Sequence, residues 1–271
     1  MRISILGCGW LGLPLAEQLR DQGHHIKGST TSKNKLQILK GKKITPFLLE
    51  LTPNLQCNNC DNFWDADVLV LNIPPGRGRD NVVDYHQKQI KSVINKVNSS
   101  SISLVIFISS TSVYPETGGI VSEEDTKAGK ASRPTGNALL KAERLLKKQS
   151  AFDTTIIRFG GLYGHDRHPV KYLAGRKKLQ KGNAPVNLIH QEDCINIIQT
   201  VIENDIKGNI FNGVSDGHPP KKMYYPAVAR AMDLEPPTFD DDENEEYKIV
   251  SNRKLKMMLD YKFRHPNPMD F

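Results

Sequence analysis

The chain has 271 residues, 38% of them hydrophobic, and carries a formal net charge of +7 at neutral pH. This length suits one large α/β domain or a domain with a smaller appendage. No apolar run is long enough to span a membrane, which argues against membrane insertion. The basic residues form no tail, which favours a small anionic ligand over nucleic acid.

The first predicted element is a buried strand at residues 3–6, which runs directly into a glycine-rich turn and a helix at 13–19. The turn reads G-C-G-W-L-G from residue 7 to residue 12. In a G-x-G-x-x-G turn the glycines allow the bend, the approach of a pyrophosphate and close packing of helix on strand. The helix N-terminus then presents N–H groups to phosphate. The segment predicts dinucleotide binding, with a purely structural turn as the alternative. The binding residues would be Gly7, Gly9, Trp10, Leu11 and Gly12.

The end of the second predicted strand, at residues 25–29, indicates which dinucleotide is bound. An NAD site usually places an acidic residue there for the ribose hydroxyl, whereas a 2′-phosphate needs hydroxyl and cationic donors. This chain has no acid at that point and offers Ser29, Thr30, Thr31, Ser32 and Lys33. We therefore predict that NADP(H) is preferred, with NAD(H) as the alternative cofactor. The alternative interpretation is that these residues only form a solvated loop that caps a helix at 35–39.

Strand-like and helical stretches alternate along the rest of the chain. This alternation predicts an α/β fold, a doubly wound and mostly parallel Rossmann sheet with a small C-terminal substrate or lid region. Strands are predicted at 68–73, 104–108, 155–158 and 210–212, and helices at 85–97, 139–146, 194–201 and 252–259. Residues 240–246 are acidic and are predicted to form a solvated loop.

Residues at the carboxyl ends of the predicted parallel strands should border one cleft, where ligands bind in such sheets. On this argument Ile73, Pro74, Pro75 and Ser109 join the predicted cofactor-binding residues. Gly160 and Gly161 follow a later strand and are expected at the same edge.

The four cysteines form no disulfide framework in a chain of this size, and a reducing cytoplasm is the expected setting. Cys57 and Cys60 have redox or metal spacing. No second cysteine pair or nearby histidine pair completes a zinc site, so we interpret them as an incidental pair in a loop rather than a functional one.

Several segments together resemble the extended short-chain dehydrogenase/reductases, a family that includes nucleotide-sugar epimerases and dehydratases. Beyond the glycine turn, the resemblance is carried by I-F-I-S-S-T-S-V-Y at 106–114, R-F-G-G-L-Y-G at 158–164 and N-L-I-H-Q-E-D at 187–193. It covers nearly the whole chain and implies a hydride-transferring enzyme that acts at a carbonyl or carbinol carbon. By this resemblance Ser110 is the residue that hydrogen-bonds the reacting carbonyl.

The chain departs from the family at its Tyr-x-x-x-Lys pair. In the family the lysine holds the cofactor ribose and lowers the pKa of the tyrosine. Aligning the following helix places Thr135 at the tyrosine and Leu139 at the lysine, so both groups are missing. A shift of two residues offers Asn137 and Lys141 on one helix face. Lys141 is equally well interpreted as a surface lysine.

Other side chains offer a proton donor. Tyr114 and Tyr163 are phenols near strand ends, and His165, Arg167 and His168 follow in a loop where substrate contacts are expected. The predicted catalytic residues are therefore Ser110, Tyr114, Lys141 and Tyr163, with no metal. For the tyrosines a packing role, and for the histidines a solvated loop, are the alternatives.

We predict an NAD(P)-binding domain at residues 1–164 and about 187–214, and a substrate-binding lid at 165–186 and 215–271. The expected protein is an NAD(P)-dependent reductase or epimerase-like enzyme with a small-molecule substrate. The helices at 85–97 and 139–146 would suit a homodimer. The alternative function is a non-catalytic NADP(H)-binding redox sensor or regulator.

Overall fold

The chain forms two compact units, each assembled from separate segments. The computed structural model describes residues 1–57, 59–76, 78, 80–126, 131–164, 166–240 and 246–270. The first unit comprises Met1–Val113, Arg133–Ile157 and Ile198–Ile210, and the second comprises Tyr114–Ser132, Arg158–Ile197 and Phe211–Phe271. In the part of the chain so described, no helix is both long enough and apolar enough to cross a bilayer.

An eight-stranded, mostly parallel sheet organises the fold. Its strands, in spatial order, are β11 (Ile210–Gly213), β8 (Asp153–Phe159), β6 (Leu104–Ser110), β5 (Val68–Leu71), β1 (Arg2–Leu6), β2 (His25–Thr30), β3 (Thr45–Leu51) and β4 (Leu55–Cys57). β1 is parallel to β2 and β5, and the pairs β2–β3 and β5–β6 are also parallel. β5 is buried along its whole length, as a central parallel strand must be when both faces are covered.

Helices alternate with the strands along the chain, and their buried residues follow the helical period. They are α1 (Gly12–Asp21), α2 (Lys33–Gly41), α3 (Asp61–Trp64), α4 (Val82–Asn98), α5 (Pro134–Lys147), α6 (Gln191–Glu203), α7 (Lys221–Ala231) and α8 (Arg253–Leu259). In α4, Ile90, Val93 and Val97 are buried at spacings of a helical turn, and α4 packs against α5. α5 begins at Pro134 rather than at the predicted Leu139, because the fixed φ of proline suits the first helical position.

The second unit is built around two small parallel sheets. β9 (Gly161–Tyr163) pairs with β10 (Leu188–His190), and β7 (Gly119–Val121) pairs with β12 (Lys248–Val250). The apolar core of this unit combines residues of β9, β10 and α7 with those of the connecting segments. Its buried members are Tyr163, Val170, Val186, Leu188, Tyr224, Val228 and Ala229.

The predicted fold class is confirmed, whereas β3 and β4 were missed. β3 contains Pro46, which interrupts the apolar pattern, and only Leu49 and Leu51 of its seven residues are buried. β4 has three residues, lies at the edge of the sheet and runs antiparallel to β3. Strands at or next to a sheet edge give a weak sequence pattern, because only part of each one is buried.

The structure corrects the interpretation of Cys57 and Cys60 as an incidental pair in a loop. The two residues are joined by a disulfide, and their Cα atoms lie 5.9 Å apart. Cys57 ends β4 and Cys60 precedes α3, so the disulfide links the end of this strand to the start of the helix. The other two cysteines, Cys8 and Cys194, are free and buried.

Candidate functional site

The glycine turn joins β1 to α1 and requires the absence of side chains at both of its ends. Gly7 has φ +107°, and a Cβ there would lie 2.5 Å from the carbonyl oxygen of Asn72. A Cβ at Gly12 would lie 2.2 Å from the carbonyl oxygen of Gly7. Real Cβ atoms do not approach an oxygen so closely, so this backbone conformation depends on both glycines. Ser29 Oγ accepts the Gly7 N–H at 2.9 Å and stabilises the turn.

Gly9 differs from the other two glycines because the described residues leave the space beside it open. Gly9 is exposed, and apart from its chain neighbours no atom of the described residues lies within 4 Å of a Cβ built on it. Its carbonyl accepts the N–H of Leu13 at 3.0 Å, so the turn leads directly into α1. The first turn of α1 carries no acidic side chain. The open space at the positive end of the helix dipole therefore fits an anionic group such as a pyrophosphate. Trp10 is half-buried and Leu11 buried in the same turn.

The hydroxyl-rich stretch after β2 contains two buried residues followed by three that reach solvent. Ser29 and Thr30 are both buried, and Thr30 Oγ1 accepts the N–H of Ser32 at 3.2 Å. Thr31 and Lys33 are exposed, and Ser32 is half-buried. Ser32 precedes α2, yet its side chain makes no capping hydrogen bond. An anion can therefore reach Thr31, Ser32 and Lys33, whereas Ser29 and Thr30 support the backbone.

The carboxyl ends of β1, β5 and β6 lie at one edge of the sheet, because these strands are parallel neighbours. After β5 the chain continues through Ile73, which is half-buried, Pro74, which is exposed, and Pro75, which is buried. Sequence reasoning missed Asn72, whose side-chain amide donates to the Gly7 carbonyl over 3.1 Å. A polar residue directly after a continuous apolar strand was the available signal.

Ser109 and Ser110 end β6 in different surroundings. Ser109 Oγ donates to Glu143 Oε1 of α5 over 2.6 Å, and both residues are buried. Ser110 is half-buried, and its Oγ accepts the N–H of Ser112 at 3.2 Å. A hydroxyl oxygen that accepts an N–H keeps its own proton for donation. Ser110 can therefore donate to a ligand, whereas the Ser109 side chain bonds to α5.

α5 presents no lysine on the face where the family carries its catalytic pair. Leu139 is buried and Thr135 is half-buried, whereas Lys141 is exposed. Two residues along a helix correspond to more than half a turn, so Leu139 and Lys141 lie on different faces. Asn137, the partner in the shifted alignment, is half-buried.

Tyr114 lies in the second unit, inside a buried polar network. Its hydroxyl donates to Asn212 Oδ1 over 2.6 Å and accepts from Arg158 Nη1 at 2.8 Å. Arg158 also donates to the carbonyl oxygen of Glu123 over 2.9 Å, and all four residues are buried. Burial raises the pKa of Tyr114 to about 12, although the Arg158 guanidinium acts against the shift. This phenol is neutral at physiological pH, and its two hydrogen bonds join separate segments of the unit.

Tyr163 lies at the end of β9 among other aromatic rings. We call Tyr163, His168, His190 and Tyr224 the Tyr163 cluster. The ring centroids of His168 and His190 lie 5.7 and 5.1 Å from that of Tyr163. Tyr224 Oη lies 3.0 Å from His168 Nε2. Burial raises the pKa of Tyr163 to about 12, with the neighbouring Ser215 hydroxyl acting in the opposite direction. Within the described residues neither hydroxyl, Tyr163 nor Ser215, makes a hydrogen bond of normal geometry.

The loop after Tyr163 was predicted to contact substrate. Burial lowers the pKa of His168 to about 4, with Lys171 adding to the shift, so His168 is neutral at physiological pH. Arg167 is exposed, and His165 lies outside the described residues. The densest basic stretch of the chain follows, and its side chains are exposed. They are Lys171, Arg176, Lys177, Lys178 and Lys181.

The chain resembles known proteins over nearly its full length. A family model described as NAD(P)H-binding matches residues 7–203. Protein YeeZ of Escherichia coli strain K12 is 31% identical over 271 residues, which cover 99% of this chain and 97% of YeeZ.

Solved structures with much lower identity share the fold. A functionally unknown conserved protein from Silicibacter pomeroyi DSS has a TM-score of 0.77 at 21% identity, covering 99% of this chain and 95% of that chain. UDP-glucuronic acid 4-epimerase from Bacillus cereus, solved in complex with NAD, has a TM-score of 0.80 at 19% identity, covering 100% of this chain and 94% of that chain. These similarities place the eight-stranded sheet among Rossmann-like folds.

Proposed function

Because the chain belongs to the NAD(P)H-binding family, we propose that it binds a nicotinamide dinucleotide at the glycine turn and transfers hydride at a carbonyl or carbinol carbon. The observation that carries this proposal is the open space beside Gly9. The fold itself requires glycine at Gly7 and Gly12, but none of the residues that the structure describes fills the space at Gly9. A ligand that approaches the backbone at that point explains a third glycine.

A matched pair of variants tests the cofactor proposal by calorimetric titration with NADPH and NADH. Gly9→Ala introduces a methyl group where the pyrophosphate would lie, so we expect affinity to fall at least tenfold. Gly41→Ala is the control, because its Cβ would also meet no atom within 4 Å. Equal affinity in Gly9→Ala and in the wild type, or no binding by the wild type, would contradict the proposal.

We propose that the cofactor is NADP(H) rather than NAD(H). The proposal draws on the solvent-accessible residues Thr31, Ser32 and Lys33 and on the lack of an acid after β2. The double variant Thr31→Asp, Lys33→Ala should weaken NADPH and leave NADH unchanged or tighter, since a carboxylate repels a 2′-phosphate and accepts from a ribose hydroxyl. Lys40→Ala, which removes another exposed lysine of α2, is the charge control. An equal effect on both cofactors would exclude the preference.

We propose Ser110 as the hydrogen-bond donor to the reacting oxygen, because its own proton is not used in its contact with Ser112. Tyr163 is proposed as the proton donor, since its neutral phenol lacks a hydrogen bond of normal geometry among the described residues. Ser110→Ala and Tyr163→Phe should each lower kcat on a substrate found by screening. Tyr114→Phe and Lys141→Ala complete the panel, and the proposed assignment fails if all four variants retain full turnover.

A specific observation favours the alternative function. Leu139 is buried at the position where the family carries lysine, and Lys141 is exposed. A protein that binds NADP(H) without catalysis would need neither catalytic group. Tight NADPH binding with no turnover of aldehydes, ketones, imines or sugar nucleotides would favour this redox-sensing function.

For the enzyme we propose a small-molecule substrate that is anionic, because the side chains of the basic stretch from Lys171 to Lys181 are exposed. We also propose a cytoplasmic location.

A further inference from the structure

A separate polar cluster in the second unit consists of His190, Glu192 and His265. One ring nitrogen from each histidine and one carboxylate oxygen lie within 4.8 Å of one another. His190 ends β10, Glu192 lies in the first turn of α6, and His265 belongs to the C-terminal segment. Two imidazoles and one carboxylate form the protein donor set of many catalytic zinc sites.

Two of the donors already have the separation of ligands on one metal ion. His265 Nε2 lies 3.1 Å from Glu192 Oε2. Zinc–nitrogen and zinc–oxygen bonds are about 2.0–2.2 Å long, and two such bonds at an angle of roughly 100° span this distance. A metal ion can therefore replace the hydrogen bond between the two side chains with little movement of either.

The third donor faces the same helix end. His190 Nδ1 accepts the backbone N–H of Glu192 at 3.3 Å, so the lone pair of Nδ1 points toward the first turn of α6. The ring centroids of His190 and His265 are 3.7 Å apart, with 38° between the ring planes. An ion bound at His190 Nδ1 would take the place of the Glu192 N–H at that lone pair.

Asp193 holds the C-terminal segment that carries His265. This carboxylate is fully buried. Its Oδ1 accepts from the Tyr261 hydroxyl and the Arg264 N–H, each at 2.8 Å, and its Oδ2 accepts the His265 N–H at 3.0 Å. Carboxylates that orient metal ligands are typical outer-shell partners, and Asp193 does so here through the backbone N–H of His265 rather than through its ring. The backbone of His265 is therefore fixed against α6 before any ion binds.

We propose that His190, Glu192 and His265 bind one divalent first-row transition metal ion, with zinc favoured, and that Asp193 positions His265 for it. Two imidazole nitrogens select such an ion over calcium or magnesium, which take oxygen ligands. Three protein ligands leave a fourth position for water or for an anionic oxygen of a bound molecule. The site does not depend on the dinucleotide proposal, since its residues lie outside the glycine turn.

Metal titrations of the full chain test this proposal. Protein freed of metal by a chelator, which is then removed, is titrated with Zn²⁺ by calorimetry and with Co²⁺ by visible absorption. We expect one ion per chain and the d–d bands of a tetrahedral site. His265→Ala and Glu192→Gln should each weaken affinity at least tenfold. His25→Ala removes an exposed histidine elsewhere and should leave binding unchanged.

The positioning role of Asp193 has its own variant. Tyr261→Phe removes one hydroxyl donor to Asp193 and should weaken Zn²⁺ binding roughly tenfold, the lower end for an outer-shell change. Circular dichroism checks that each variant is folded, and His265→Gln replaces His265→Ala if the latter is not. Absence of stoichiometric binding, or unchanged affinity in a folded His265 variant, would overturn the proposal.

Discussion

The glycine turn of the first unit and the Tyr163 cluster of the second both lie at strand ends, but they are built in opposite ways. At the turn, missing side chains let backbone atoms approach one another and leave open space at Gly9. In the Tyr163 cluster the rings of His168, His190 and Tyr163 occupy the space. The turn is therefore sensitive to added atoms, whereas the second unit is sensitive to the removal of polar groups and to changes in their protonation.

The largest effect is expected from adding atoms at the tightest point of the turn. Gly12→Val would place a branched side chain where even a Cβ lies 2.2 Å from the Gly7 carbonyl oxygen. We expect the free energy of unfolding to fall by about 3 kcal/mol or more, measured by urea denaturation. If Gly12→Val lowers the free energy of unfolding by less than Gly41→Val does, the requirement for close approach at Gly12 is contradicted.

Removing a polar group from the second unit should have the next largest effect. Tyr114→Phe deletes the hydroxyl that donates to Asn212 and accepts from Arg158. Because both partners stay buried, we expect a loss of about 2–3 kcal/mol in urea denaturation. Tyr85→Phe, outside this network, serves as the comparison. Equal stability of the two variants would show that the network contributes little.

A change of pH tests the protonation of His168 in the second unit without deleting a side chain. Burial lowers the pKa of His168 from 6.5 to about 4, so between these values the unfolded chain binds more protons than the folded chain. The free energy of unfolding should therefore fall as the pH is lowered through this window. For a half-buried group we expect about 1–2 kcal/mol. Urea denaturation of His168→Phe across the same range should show a shallower slope, and an unchanged slope would contradict the assignment.

The smallest change in stability is expected at Gly9. Gly9→Ala adds a methyl group with no close neighbour in the described part of the chain, so the free energy of unfolding should change by less than about 0.5 kcal/mol. Paired with its expected loss of cofactor affinity, this variant separates binding from folding. A large loss of stability would mean that all three glycines serve the fold alone.

The turn could be predicted from sequence because its geometry is local. Six consecutive residues specify the bend, and the match to an NAD(P)H-binding family and the Rossmann-like fold agree with what this turn predicts. The sequence marks Asn72 only as a polar residue after an apolar strand, and its partner Gly7 could not be predicted because it is 65 positions away in sequence.

The groups of the second unit could not be predicted as a set. Tyr163, His168 and Tyr224 come from three segments, and only the packing of β9 and α7 brings them together. The same holds for His190 and His265. A lone histidine in the sequence has no pattern that names its neighbours, so the site residues of this unit remain predictions.

Asp193 has a consequence for the order in which the protein can fold during synthesis. Its carboxylate is satisfied by Tyr261, Arg264 and His265, which follow it by 68, 71 and 72 positions. The first unit also needs a later segment, since Thr155 Oγ1 donates to the carbonyl of Ile206 over 2.7 Å. Neither unit can finish folding before these later segments have been made. Nascent chains therefore expose unfinished apolar surface until both segments have left the ribosome, the condition in which chaperones are needed.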